Sequence, residues 1–242
     1  MNSVRVMFDE QIRRGADPGS TTEVGAHVVR SISPGWTGIT WSDLDENNAD
    51  AVIVEQLRRF AGRPWEWKYY SYDGPADLPD RLRSAGFRPE PPEAVMVGEI
   101  KTLDLGIRPP DGIRLRRVAD DADVRALISL HDEVFGGDHS AIAESLDEDN
   151  AVAVIALAGD RPVSAGRLEF RPGTEFAGLW GGGTVPEWRR RGIFRALVAC
   201  RAAIAAERGF TYLQVDATDQ SRPILQRLGF VQLATTTPFV HP

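Results

Sequence analysis

The stretch Thr184-Val185-Pro186-Glu187-Trp188-Arg189-Arg190-Arg191-Gly192-Ile193-Phe194-Arg195-Ala196-Leu197 decides how this chain is read. It leaves an apolar, glycine-broken segment (Phe176 to Val185), passes a proline and three arginines, and enters a run of helix formers from Gly192 to Ala206. That order predicts a strand, a tight basic turn and a helix start. The first amides of a helix have no intrahelical acceptor and carry the positive end of its dipole, so a turn that aims them at one point suits a phosphate. Arginines on the same turn add charge-assisted bonds to phosphate oxygens.

Downstream, Phe210 to Ala217 alternates apolar and polar residues, as a strand does. Ser221 to Leu228 reads as a capped helix with Pro223 in its first turn, closed by Gly229. Upstream, Pro and Gly break both periodicities between Leu103 and Gly112 and mark a boundary. Ile113 to Val118 then forms a first strand, Asp120 to Phe135 a helix with acids in its first turn, and Ser140 to Leu146 a second, short helix. Ala151 to Ala158 and Val163 to Phe170 make a hairpin about Gly159-Asp160-Arg161-Pro162. The expected class is α/β, a mixed sheet with helices on both faces.

These residues resemble a known family. Pro186, Glu187, an aromatic, then Arg189-x-x-Gly192-x-Phe194 is similar to the Arg/Gln-x-x-Gly-x-Gly/Ala loop that holds the coenzyme A pyrophosphate in the GNAT superfamily, the acyl-CoA-dependent N-acyltransferases. Phe194 departs from the pattern, and its ring must lie away from the pyrophosphate. The later strand, helix and Gly229-Phe230 resemble the family's closing motif, with Thr218 at its Asn, Ser221 at its Ala and Leu225 at its Tyr. The resemblance covers residues 112 to 242 and implies a GNAT fold with acetyl-CoA as cosubstrate. It implies a CoA site of Gly183, Thr184, Val185, Arg189, Arg190, Arg191, Gly192, Ile193, Phe194, Arg195 and Ser221. In that site Thr184 and Val185 pair with the pantetheine arm, and the amides of Arg190 through Arg195 hold the pyrophosphate. The family's tyrosine is a proton donor to the departing thiolate; Leu225 cannot be one.

Composition sets limits. The chain of 242 residues is 42% apolar and 26% charged, as ordinary soluble proteins are. No apolar run approaches the ~20 residues of a membrane span, and Met1-Asn2-Ser3-Val4-Arg5 lacks a signal-peptide layout, so a cytoplasmic protein without a membrane partner is expected. A net charge of −7 argues against a nucleic-acid partner. The single cysteine, Cys200, reads as a small buried hydrophobe. His27, His131, His139 and His241 show no ligand spacing, and no metal is expected.

The first half carries an echo of the second. Asp73, Leu82, Gly86, Phe87 and Val97 match Asp216, Leu225, Gly229, Phe230 and Val240 at a constant offset of 143 residues. A strand, helix, Gly-Phe turn and strand repeated at one offset indicate internal duplication. On that basis residues 1–110 form a degenerate GNAT-like domain and 111–242 the CoA-binding one. In the first copy Ala51 to Phe60 stands where the helix after the phosphate loop should be. What precedes it has no arginine or glycine but holds Asp43, Asp45, Glu46 and Asp50, which would repel a pyrophosphate. The aromatic run at Trp65, Trp67, Tyr69, Tyr70 and Tyr72 reads as packing.

An attacking amine must be neutral, so a group has to take its proton; Glu169, Glu175 and Asp216 are the candidates. Gly181-Gly182-Gly183 reads either as a place of close ligand approach or as a bulge. The expected activity is transfer of an acetyl group from acetyl-CoA to a primary amine on a small molecule or peptide. Phe194 and Leu225 leave open a GNAT-derived CoA sensor or scaffold without catalysis, and the N-terminal half could serve a homodimer.

Overall fold

The computed structural model describes residues 2–16, 18–33, 35–147 and 149–242. In chain order its elements are α1 (Asn2–Phe8), β1 (Thr21–Val24), β2 (Val28–Ile32), β3 (Thr37–Ser42), α2 (Ala49–Arg59), β4 (Trp65–Tyr70), α3 (Leu78–Ser84), β5 (Arg88–Pro89) and β6 (Glu93–Glu99). Then come β7 (Ile113–Arg117), α4 (Asp121–Phe135), α5 (Ile142–Ser145), β8 (Ala151–Ala158), β9 (Arg161–Phe170), β10 (Phe176–Thr184), α6 (Ile193–Glu207), β11 (Tyr212–Ala217), α7 (Arg222–Arg227) and β12 (Val231–His241).

Two compact units emerge, and neither is one continuous run. The first takes Met1–Met96, Asp216–Arg222 and Gln232–Pro242; the second takes Val97–Val215 and Pro223–Val231. This differs from a division at residue 110, and the reason is a pairing no local pattern encodes. Strand β12 runs antiparallel to β4, from Thr236 opposite Tyr70 to His241 opposite Trp65. Conversely Val97–Glu99 of β6 belongs to the second unit, where the Ile100 N–H donates to the Thr211 carbonyl at 2.9 Å. The C-terminal strand thus belongs to the first unit, and only the end of β6 to the second.

The first unit continues its ladder through β3, parallel to β4 with Ile39 opposite Trp67, and through antiparallel β2 and β1. Alternation sends Trp65 and Trp67 into a core with Ile53, Phe60, Leu78, Leu82, Phe87 and Phe239. Each such side chain contributes ~1.5–3 kcal/mol by leaving water. Arg13 is buried as well. Its guanidinium grips Asp73 at 2.8 and 2.9 Å and lies 3.9 Å from the Tyr70 ring centre.

In the second unit β7, β8, β9 and β10 are antiparallel neighbours, and β10 meets β11 in parallel. Strand β8 is buried from Ala151 to Leu157 because helices cover both of its faces. Ala153, Ile155 and Leu157 pack with Leu127, Leu130 and Ile142, whereas Val154 and Ala156 pack with Ile193 and Leu197. Helix α4 starts at Asp120, whose carboxylate accepts the Asp123 N–H at 2.8 Å.

Two helix ends 143 residues apart share one geometry. Gly86 and Gly229 both take the left-handed conformation, at φ 96 and 100°. The Phe87 N–H donates to the Leu82 carbonyl, and the Phe230 N–H to the Leu225 carbonyl, each at 3.1 Å. That is one helix-ending motif built twice.

Candidate active site

Strands β10 and β11 pair only from Phe176 opposite Tyr212 to Gly178 opposite Gln214, although β10 runs on to Thr184 and β11 to Ala217. Beyond Gly178 the edge of β10 is released from its parallel neighbour. On its other edge β10 bulges against β9 between Trp180, opposite Arg167, and Gly183, opposite Ala165. Gly181 takes φ 56° inside the bulge.

The three glycines also have a packing cause. A Cβ on Gly181 would lie 2.7 Å from His131 Cε1, one on Gly182 2.9 Å from the Phe194 ring, and one on Gly183 2.8 Å from Phe135 and Val134. They let α4 and α6 press on the strand from both sides. Phe194 finds its place here, its ring against Gly182 rather than over the turn.

Arg201 of α6 serves the same bulge. Fully buried, it donates from Nη1 to the Arg167 carbonyl at 2.9 Å and from Nε to the Leu197 carbonyl at 3.2 Å. Burial pushes this guanidinium down to about 10. It supplies a donor where the bulge interrupts the ladder.

After Thr184 the chain turns through Pro186–Trp188, and Arg189 Nε closes the turn on the Thr184 carbonyl at 2.9 Å. Arg190 follows at φ 62°, the sole non-glycine with positive φ among the described residues, and Gly192 at φ 85°. Such left-handed residues beside helical ones curl successive amides into an anion-binding concavity. The first intrahelical bond runs from Ala196 to Gly192, and among the described residues the amides of Arg190 through Arg195 have no backbone acceptor. Arg191 stacks over Trp188 at 4.6 Å, while Arg190 and Arg195 project into solvent.

Other expected residues fall elsewhere. The Val185 N–H already donates to the Val163 carbonyl at 3.0 Å and its side chain is core, so it is not open to a ligand. Thr184 Oγ1 is 2.7 Å from Ser164 Oγ, which donates to the Gly183 carbonyl at 2.6 Å. Ser221 belongs to the first unit and bonds back to the Thr218 carbonyl at 3.3 Å. Leu225 is buried in the position matched to the tyrosine. Cys200 is half-buried beside Ile193 and Leu197, and burial pushes its thiol up.

The three acids do not converge. Glu175 precedes β10 at the end away from Gly183 and accepts a bond from the Thr211 hydroxyl. Glu169 lies opposite Gly178 and 3.4 Å from Arg167. Asp216 pairs with Lys68 at 2.5 Å in the first unit.

A residue that sequence patterning had set aside stands at the bulge instead. His131 shares the buried face of α4 with Leu127, Leu130 and Val134, a helical spacing of i, i+3, i+4 and i+7. Its ring packs against Gly181, and burial first, then the Arg167 cation, push its imidazole down to about 4. A polar ring on an apolar stripe was the signal available.

Residues 123–230 match the Acetyltransferase (GNAT) family. This segment is a GNAT acetyltransferase domain. No curated protein sequence matches the chain. Among solved structures, the GNAT domain and its N-terminal companion together resemble a GCN5-related N-acetyltransferase from Kribbella flavida, with TM-score 0.74 and 18% identity over 93% of this chain and 90% of that one. A functionally unknown conserved protein from Staphylococcus epidermidis ATCC 12228 is similar at TM-score 0.71 and 14% identity, over 96% of each chain. A tandem GNAT protein from the clavulanic acid biosynthesis pathway gives 0.61 and 10%, over 93% and 84%. The likeness is one of fold, and it reaches beyond the GNAT domain to nearly the whole chain. Among the described residues no cluster of His, Cys, Asp or Glu is placed to hold a metal, and no helix is long and apolar enough to cross a membrane.

Proposed function

We propose that the GNAT domain binds acetyl-CoA and transfers its acetyl group to a primary amine, on a small molecule or peptide, by direct attack on the thioester. The reading rests on one observation above all: six consecutive amides, Arg190 through Arg195, curl at the start of α6 without an acceptor. A pyrophosphate supplies the acceptors and the negative charge that such a turn lacks. Arg190 and Arg195 add mobile positive charge beside it. The released edge of β10 offers backbone groups to a pantetheine arm, and alignment of thioester and amine there is the main source of rate. The protein acts in the cytoplasm on this reading.

Calorimetry with acetyl-CoA tests it. Gly192→Asp places a carboxylate in the concavity and should weaken binding by at least ~100-fold, the scale of a lost charge-assisted contact. Undiminished binding would remove the turn from the mechanism. The buried Leu225, which cannot donate a proton, favours a second reading as a CoA sensor. Thiol release above the hydrolysis background over a panel of amines separates the two.

A further inference from the structure

We propose that His131 is the residue that takes the proton from the acceptor amine. The assignment rests on the acyl-transfer reading and deepens it. His131 is buried, and its Nε2 has no hydrogen-bond partner among the described residues. In the neutral tautomer that carries its proton on Nδ1, Nε2 presents a bare lone pair. A buried acceptor left unpaired is costly, and such groups collect where a ligand completes them.

Its surroundings suit the task. The Phe135 ring stands perpendicular to the imidazole at 5.4 Å, and His139 covers it at 5.7 Å. His139 is itself held by Asp132, through Nδ1 and through its own N–H, both at 2.9 Å. Arg167 reaches the same spot from β9, its Nη1 3.2 Å from where a Gly181 Cβ would lie. The charged and titratable groups facing His131 are thus Arg167, His139 and Asp132. Burial first, then the Arg167 cation, keep the imidazole neutral, and the same cation disfavours an ammonium in favour of the free amine.

In the step itself the amine lone pair forms the N–C bond, and the C–S bond breaks with its electron pair leaving on sulfur. As the nitrogen becomes positive it grows acidic, and its proton passes to His131 Nε2. From there the proton reaches the thiolate or water, and the imidazole returns to neutrality.

Two substitutions separate catalysis from structure. His131→Asn and His131→Gln each keep a polar amide of similar size in place of the ring and remove the basic Nε2 lone pair. Assayed with acetyl-CoA and a panel of primary amines, His131→Asn should lose about 100-fold in kcat, the low end for general-base removal. Its CoA affinity and thermal midpoint should stay at the wild-type values. A His131→Asn enzyme within about threefold of wild type in kcat would overturn the proton role, since that loss is far below general-base effects, and would leave acyl transfer standing. Wild-type protein that binds CoA yet releases no thiol with any amine would overturn the acyl-transfer reading beneath it.

Discussion

Asp45 and Asn48 hydrogen-bond each other reciprocally: the Asp45 carboxylate accepts the Asn48 N–H at 2.9 Å, and the Asn48 side-chain carbonyl accepts the Asp45 N–H at 2.9 Å. Asp45 also takes the Asn47 N–H at 2.8 Å, and these backbone bonds pull its carboxyl below the usual range. An offset of 143 residues carries Asn47 and Asn48 to Arg190 and Arg191. The turn before α2 thus spends its amides on its own carboxylate, whereas among the described residues the turn before α6 leaves them bare. Calorimetry should give one acetyl-CoA per chain; a stoichiometry of two would contradict this contrast.

Arg190 carries a backbone strain that the turn imposes. Its left-handed φ of 62° costs a side-chain-bearing residue ~1–2 kcal/mol relative to glycine. Arg190→Gly should therefore raise stability by about 1 kcal/mol, read from urea unfolding. It should also weaken acetyl-CoA binding by about tenfold through loss of one charge. A variant destabilised by this change would show that Arg190 holds the turn together.

The imidazole of His131 fixes a pH signature. Unfolded, it binds a proton near the ordinary value of 6.5; folded, burial and Arg167 delay this to about 4. The unfolded chain binds more protons in that window, so stability falls as pH drops from 6.5 to about 4 and is insensitive to this group above it. The competent neutral form persists throughout, so kcat/KM should show no imidazole limb between about pH 5 and 8. Arg167→Gln removes the second cause of the depression and should move the acid limb upward, while burial still holds it below the ordinary value. An unmoved profile would rule out Arg167 as the controlling charge.

The strand exchange predicts how fragments behave. Residues 1–110 expressed alone lack β12, its ladder with β4 and Phe239 in the core of the first unit. That fragment should be largely unfolded by circular dichroism and proteolysis. A cooperative melt from it would show that β4 tolerates a free edge.

Among the described residues, buried Arg13 has two charge partners, the Asp73 carboxylate and Asp9. Asp73→Asn leaves that cation without its bidentate acceptor and should cost ~3–5 kcal/mol in calorimetric or urea unfolding. A loss below ~1 kcal/mol would mean that Asp9 and the Tyr70 face suffice.

Local patterns determined much of this protein. The 2- and 3.6-residue periods set β8, α4, α6 and β11 close to their observed bounds, because those elements bury faces their own sequence marks. The basic turn was legible for the same reason, as proline, glycine and a helix start shape a backbone within a few residues. What tertiary structure decided was every relation between distant segments. The exchange of β6 and β12, the loss of the Val185 amide to Val163, and the separation of Glu169, Glu175 and Asp216 depend on which strand lies beside which. His131 follows the same rule: its chemistry comes from a bulge fifty residues away that packs on its ring and from a fold that leaves Nε2 without a partner. Hydrogen-bond partners and burial are properties of the assembled fold, and a one-dimensional pattern carries neither.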